Sequence, residues 1–200
     1  MEAFVLAGGE SKRFGSNKAL YRVGDETLLE ILFRRMSDLF DKVRVLTKDS
    51  SLFKGLDFEV LDDVREECCP LSGIYSGLRY LRNGKAFFLA CDLPLVQSRL
   101  VNHIVEQSQG FDAAVPRTAM GFEPLCAVYD VACLDAIEDQ FVSGNLRVVS
   151  FLNNVKTKVV EEDELKRYDK KLVSFVNVNT PDTLGMVLEL LAREKGRRCS

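Results

Sequence analysis

The chain has 200 residues, a length that suits one globular domain, and its 46% hydrophobic content is enough for a core at that size. Lys and Arg number 27 against 30 Asp and Glu, so the net charge of −3 removes the electrostatic case for nucleic acid as a partner. No apolar run approaches bilayer-spanning length, and the opening segment 1–9 lacks the basic region and long apolar core of a signal peptide, so the expectation is a cytoplasmic protein with no membrane partner. The six cysteines show no C-x-x-C spacing and there is one histidine, His103, so reduced thiols are expected rather than a zinc site.

The predicted elements alternate along the chain. Residues 4–7 form a short buried strand closed by Gly8 and Gly9; residues 27–40 carry Leu28, Ile31, Leu32, Met36 and Leu39 at helical spacing. Strands are predicted at 43–46 and 58–61, a helix opening after Pro70 over 71–81, and the most apolar strand at 86–90. A helix over 96–107 holds His103, taken as structural. Strands at 113–115 and 125–129 follow, then helical stretches at 131–142 and 146–152. Residues 156–160 and 173–176 read as extended, and Pro181 opens a last helix with Thr180 as its N-cap. Strands apolar on both faces and alternating with helices predict a mostly parallel sheet with helices on both sides, in a single domain over 1–200 whose polar tail, 195–200, is frayed.

Ligands in such sheets sit at the carboxyl ends of the strands. Two segments there carry chemistry. The first is the turn Leu6-Ala7-Gly8-Gly9-Glu10-Ser11-Lys12-Arg13-Phe14-Gly15-Ser16-Asn17-Lys18. Its glycines permit positive φ and close backbone approach, its successive N–H groups make an anion nest, and Arg13 and Lys18 add charge. The turn fits neither G-x-x-x-x-G-K-[ST] nor G-x-G-x-x-G, and a solvated loop is the alternative. The second is the apolar strand that runs into Cys91-Asp92-Leu93-Pro94. A carboxylate at a buried strand end is costly unless paired or bound to metal, and Mg2+ uses one or two such groups together with substrate phosphates. The alternative is a helix cap after Pro94. The pair Asp62-Asp63 ends another strand and serves either the same edge or a turn, and Gly73 permits close approach of a base or ribose.

The glycine turn resembles the signature of nucleotidyltransferases with the glycosyltransferase-A-like fold, a three-layer α/β/α sandwich of the nucleotide-diphospho-sugar-transferase type. Within that group the chain resembles the molybdenum cofactor guanylyltransferases, on Pro70-Leu71-Ser72-Gly73-Ile74, Cys91-Asp92-Leu93-Pro94, Glu123-Pro124-Leu125-Cys126-Ala127-Val128-Tyr129, Gly144-x-x-Arg147-Val148 and Asn177-Val178-Asn179-Thr180-Pro181. The resemblance implies transfer of GMP from GTP to the phosphate of molybdopterin, with Mg2+ as cofactor and cofactor-accepting molybdoenzymes as further partners. It implies a GTP-binding set of Leu6, Ala7, Gly8, Gly9, Lys18, Asp63 and Asp92, catalytic roles for Arg13, Lys18 and Asp92, and Asp92 as the metal ligand. Asp62 is an alternative alignment for Asp63. The family asparagine after the second core strand is missing, and among Leu46, Thr47 and Lys48 the residue expected to replace it is Thr47. Asn177 and Asn179 match pterin-side positions or cap the last helix. A relative using CTP or a sugar or polyol phosphate, and a non-catalytic nucleotide-binding module, stay open as alternatives.

Overall fold

A computed structural model describes residues 1–8 and 18–198, with Lys18, Pro181 and residues 192–198 described by their backbone alone. The strands are β1 (Glu2–Leu6), β2 (Arg22–Val23), β3 (Glu26–Thr27), β4 (Lys42–Thr47), β5 (Val60–Asp62), β6 (Lys85–Ala90), β7 (Ala113–Thr118), β8 (Gly121–Phe122), β9 (Cys126–Asp130) and β10 (Thr157–Glu161). The helices are α1 (Leu28–Ser37), α2 (Pro70–Tyr80), α3 (Ser98–Gln107), α4 (Leu134–Ser143), α5 (Glu162–Leu165) and α6 (Pro181–Arg198). The main sheet runs β10-β7-β9-β6-β1-β4-β5. β1 pairs in parallel with both β4 and β6, β4 with β5, and β7 with β10, while β9 runs antiparallel to β6 and β7.

Alternation along each strand builds two cores. In β1, Ala3 and Val5 face α1 and α3, whereas Phe4 faces α2 and α4; in β6, Phe87 and Leu89 take the first side and Phe88 the second. Both faces are covered, so the strands read as unbroken apolar runs. A third cluster joins Leu28 and Ile31 of α1 to Val178 and to Leu184, Val187 and Leu191 of α6. No described helix is long and apolar enough to cross a membrane.

Local signals set the helix starts. Thr27 and Glu30 form a reciprocal capping box, with Glu30 N donating to Thr27 Oγ1 at 3.2 Å and Thr27 N to Glu30 Oε2 at 2.6 Å. Pro70 occupies the first turn of α2, and Thr183 N donates to Thr180 Oγ1 at 3.2 Å at the start of α6. Gly144, at φ 72°, ends α4 in the left-handed region that glycine tolerates.

One expectation is corrected. Residues 173–176, apolar and β-branched, are not a strand: Val173–Phe175 is a short 3-10 turn. Ser174 N donates to Asp169 Oδ2 at 2.7 Å and Ser174 Oγ accepts from Gln97 N at 3.0 Å, so side-chain bonds, one local and one across the fold, take the place of a ladder. The backbone of α6 runs through Arg198; Arg, Glu and Lys are good helix formers. The sequence also gave no warning of the β2–β3 pair, whose turn holds Gly24 at φ 64°.

Candidate active site

The carboxyl ends of β6, β1, β4 and β5 lie side by side, held level by register: Leu6 pairs with Leu46 and with Ala90, and Thr47 with Asp62. Main-chain bonds continue past the strands. Ala7 N donates to Leu46 O at 2.7 Å, Cys91 N to Leu6 O at 3.0 Å and Asp63 N to Thr47 O at 2.7 Å. The chain therefore delivers Ala7-Gly8, Lys48, Asp63 and Asp92 to one edge. Three inter-strand steps separate the β6 and β5 ends, roughly 14 Å. Gly8 runs against the β4 end, where a Cβ would stand 3.6 Å from Lys48 N, an ordinary contact, and its φ is not positive. Gly9 and Arg13 lie outside the described residues, and Lys18 is placed only as the backbone start of the 3-10 turn Lys18–Leu20.

Asp92 follows β6 and is not a helix cap, since Gln97 holds that place for α3. Its carbonyl accepts from Val178 N at 2.9 Å, which draws the segment before α6 over the β6 end. The Asn177 amide thereby comes to 3.2 and 3.3 Å from the two Asp92 carboxylate oxygens, and with its nitrogen turned inward it donates to both. Asn177 thus sits at the acidic end of the edge. Asn179 is exposed, and its backbone N–H donates to Thr183 Oγ1 at 3.2 Å. Glu123, between β8 and β9, is a further carboxyl whose field reaches Asp92. Burial holds its pKa above 4.5, a hydrogen bond from Thr118 Oγ1 at 3.4 Å partly offsets this, and the Asp92 charge adds to the rise.

The other end is built around Asp63. Its side chain is 6% exposed and its Oδ2 pairs with Lys48 Nζ at 3.1 Å. Lys48 Nζ also donates to Arg65 O at 2.6 Å and Ser72 Oγ at 3.3 Å. Asp62 instead takes Ser50 N at 2.8 Å and Ser50 Oγ at 3.0 Å on its two carboxylate oxygens, the turn-holding role. Thr47 is buried, and its Oγ1 accepts from Asp49 N at 3.4 Å. At Gly73 a Cβ would stand 3.1 Å from Leu6 Cδ2, so the close approach its small size permits is of α2 to β1.

Sequence reasoning set Lys48, which follows β4, aside in favour of Thr47, and passed over the pairing of Asn177 with Asp92. Glu123 stood in a quoted motif without a role. His103 is structural as expected, with Nε2 2.8 Å from Glu164 Oε1 and its ring stacked on Tyr168. Cys126 is buried in β9 and its thiol pKa is pushed far up by burial, and five cysteines are free among the described residues.

The donors at the Asp92 end are oxygens of a carboxylate and, with the opposite amide orientation, of Asn177, a set that suits a hard cation. Among the described residues no group of three or more His, Cys, Asp or Glu could hold a metal ion, so a cation here would need further ligands from substrate and water.

The sheet and its edge define the class, an α/β nucleotidyltransferase. The chain belongs to the MobA-like NTP transferase domain family, which matches residues 3–158. It is 35% identical over 90% of its length, and 88% of the relative's, to a Pelotomaculum thermopropionicum protein named "Probable molybdenum cofactor guanylyltransferase". It is 31% identical to the molybdenum cofactor guanylyltransferase of Desulfosudis oleivorans, over 90% of each chain. The crystal structure of molybdopterin-guanine dinucleotide biosynthesis protein A from Archaeoglobus fulgidus superimposes with a TM-score of 0.85 at 26% identity, covering 96% of this chain and 100% of that one.

Proposed function

We propose that this protein transfers GMP from GTP to the phosphate of molybdopterin, releasing pyrophosphate and forming the guanine dinucleotide cofactor. The observation that carries the reading is the level edge itself. It presents Asp92 with Asn177 at one end and Asp63, anchored by Lys48, at the other, with the glycine turn leaving the central strand between them. That span accommodates a nucleotide laid across the strand ends, with its nucleoside toward Asp63 and its phosphates toward Asp92.

An oxygen of the molybdopterin phosphate attacks the α-phosphorus of GTP. The bond from that phosphorus to the bridging oxygen breaks, and pyrophosphate leaves with the electron pair. The attacking oxygen is already ionised at neutral pH, so the protein supplies neither a nucleophile nor a base. Its task is to align two anions and stabilise the charge that develops. In this reading Leu6, Ala7, Gly8 and Gly9 give backbone N–H groups to the nucleotide, Arg13 and Lys18 stabilise the triphosphate, and Asp63 holds the nucleoside. Asp92 and Asn177 would hold Mg2+, which would neutralise phosphate charge when bound there. Asp92 is thus the central residue of the acidic end. The same reading makes the protein cytoplasmic and its product a cofactor for molybdenum enzymes.

The test is Asp92→Ala in a pyrophosphate-release assay with GTP, Mg2+ and molybdopterin, beside a metal titration of the wild type. The variant is expected to stay folded and to lose about a hundred- to a thousandfold in rate, in line with loss of an electrostatic anchor of the transition state. Wild-type turnover in that variant, or turnover in excess chelator, overturns the assignment.

A further inference from the structure

The role of Lys48 follows from counting its donors. An ammonium has three N–H bonds and no acceptor. Lys48 Nζ meets three acceptors: Arg65 O at 2.6 Å, Asp63 Oδ2 at 3.1 Å and Ser72 Oγ at 3.3 Å. Two hydrogen bonds and one ion pair hold the ammonium, so this lysine, although it stands at a nucleotide edge, is committed to protein oxygens. Its stem passes Gly8, where a Cβ would lie 3.9 Å from Lys48 Cγ. It therefore ties together the end of β4, the residue after β5, the backbone at residue 65 and the first turn of α2.

The carboxylate it holds is not satisfied in the same way. Asp63 Oδ1 is buried and has no hydrogen-bond partner among the described residues. A buried carboxylate oxygen without a donor is costly, and such a cost at a strand edge marks a place a ligand donor fills. Asp62, its neighbour, has a donor on each oxygen.

We propose that Lys48 is a positioning residue: it fixes Asp63 through Oδ2 and Ser72 so that Oδ1 is kept for a hydrogen-bond donor of the guanosine. It thereby does the work at the β4 end that the sequence suggested for Thr47. The donor is a base amine or a ribose hydroxyl. The inference rests on the transferase reading of this edge.

The test is a double-mutant cycle on GTP binding, followed by calorimetry with the intact protein in Mg2+ and by KM and kcat with molybdopterin. Lys48→Met and Asp63→Asn are each expected to weaken GTP binding about tenfold or more, the loss of one hydrogen bond to a charged group. The double variant should be no weaker than the worse single variant by more than about threefold, because Lys48 acts through Asp63. The loss from Lys48→Met should fall on KM more than on kcat. If Lys48→Met does not fold, Lys48→Gln, which keeps a donor, replaces it with a smaller loss and the same non-additivity. Inosine triphosphate, which lacks the 2-amino group, and 2′-deoxy-GTP serve as arms. At least one should bind the wild type more weakly than GTP does and lose that difference in Asp63→Asn, which identifies the donor. Undiminished GTP binding by Lys48→Met, multiplicative losses in the double variant, or both analogues binding like GTP would overturn the proposal. A wild type that binds GTP and transfers nothing sinks the transferase reading, while the same dissociation constants still decide the role of Lys48.

Discussion

Gly77 makes the packing of α2 measurable. The helix lies on the β1–β4–β6 face, and at Gly77 a Cβ would stand 2.4 Å from Phe88 Cε1, 2.8 Å from Phe88 Cζ and 3.1 Å from Leu46 Cδ1. Phe88 has no room to retreat. It is fully buried, stacks on Phe4 at 5.3 Å between ring centroids and meets Tyr129 edge-on at 5.7 Å. Overpacking a core of this kind costs about 1–3 kcal/mol. Ala for Gly in a helix interior returns about 0.8–1 kcal/mol. The clash is at the close end of that scale, so it wins, and Gly77→Ala should destabilise the fold by about 1–2 kcal/mol. For a chain of this size each kcal/mol moves Tm by roughly 2–4 °C. Gly185 in α6 is the matched control, since nothing lies within 4 Å of a Cβ there. Gly185→Ala should raise stability by about 0.5–1 kcal/mol. Calorimetric melts of both variants check the pair. A Gly77→Ala protein as stable as wild type would refute the packing argument, because it would mean that α2 does not sit this close to the sheet.

Three other outcomes are expected. Because burial and the Asp92 charge raise the Glu123 pKa above 4.5, folding favours its protonated form. The stability linked to it is present below pH 4.5 and lost as pH rises through the raised value, so Glu123→Gln should have the higher Tm at pH 7.5 and no advantage near pH 4. Ser174→Ala leaves the part-buried Gln97 N–H without the hydroxyl that accepts it at 3.0 Å. It should cost about 1–3 kcal/mol in urea titration and, by loosening the segment that carries Asn177, lower the affinity for Mg2+ and GTP. Asn177→Ala should raise the Mg2+ concentration needed for half-maximal rate, read from a metal titration at saturating GTP.

Much of the fold was legible because the strands are buried on both faces. Segments such as Phe87-Phe88-Leu89 have no polar alternation to confuse them with surface strands. The same signal failed at Val173–Phe175, where side-chain bonds to nearby Asp169 and to Gln97, far away in sequence, decide the backbone. Asp92 was legible as a carboxylate ending an apolar strand, a placement that needs no topology to read as unusual. What faces Asp92 was not, since Asn177 reaches it only because Val178 N bonds to Asp92 O across the fold. Lys48 was hidden for the same reason. Its three acceptors come from Asp63, Arg65 and Ser72, and only the parallel placement of β4 beside β5, with α2 above, brings them to one ammonium.

The central claim is tested most directly by incubating the protein with GTP, Mg2+ and molybdopterin and following pyrophosphate and the pterin product together by mass spectrometry, with CTP and ATP in parallel. The account predicts pyrophosphate only when GTP and molybdopterin are both present, matched mole for mole by a guanine dinucleotide product. Pyrophosphate and product from CTP in preference to GTP, or GTP binding with no product at all, would contradict it.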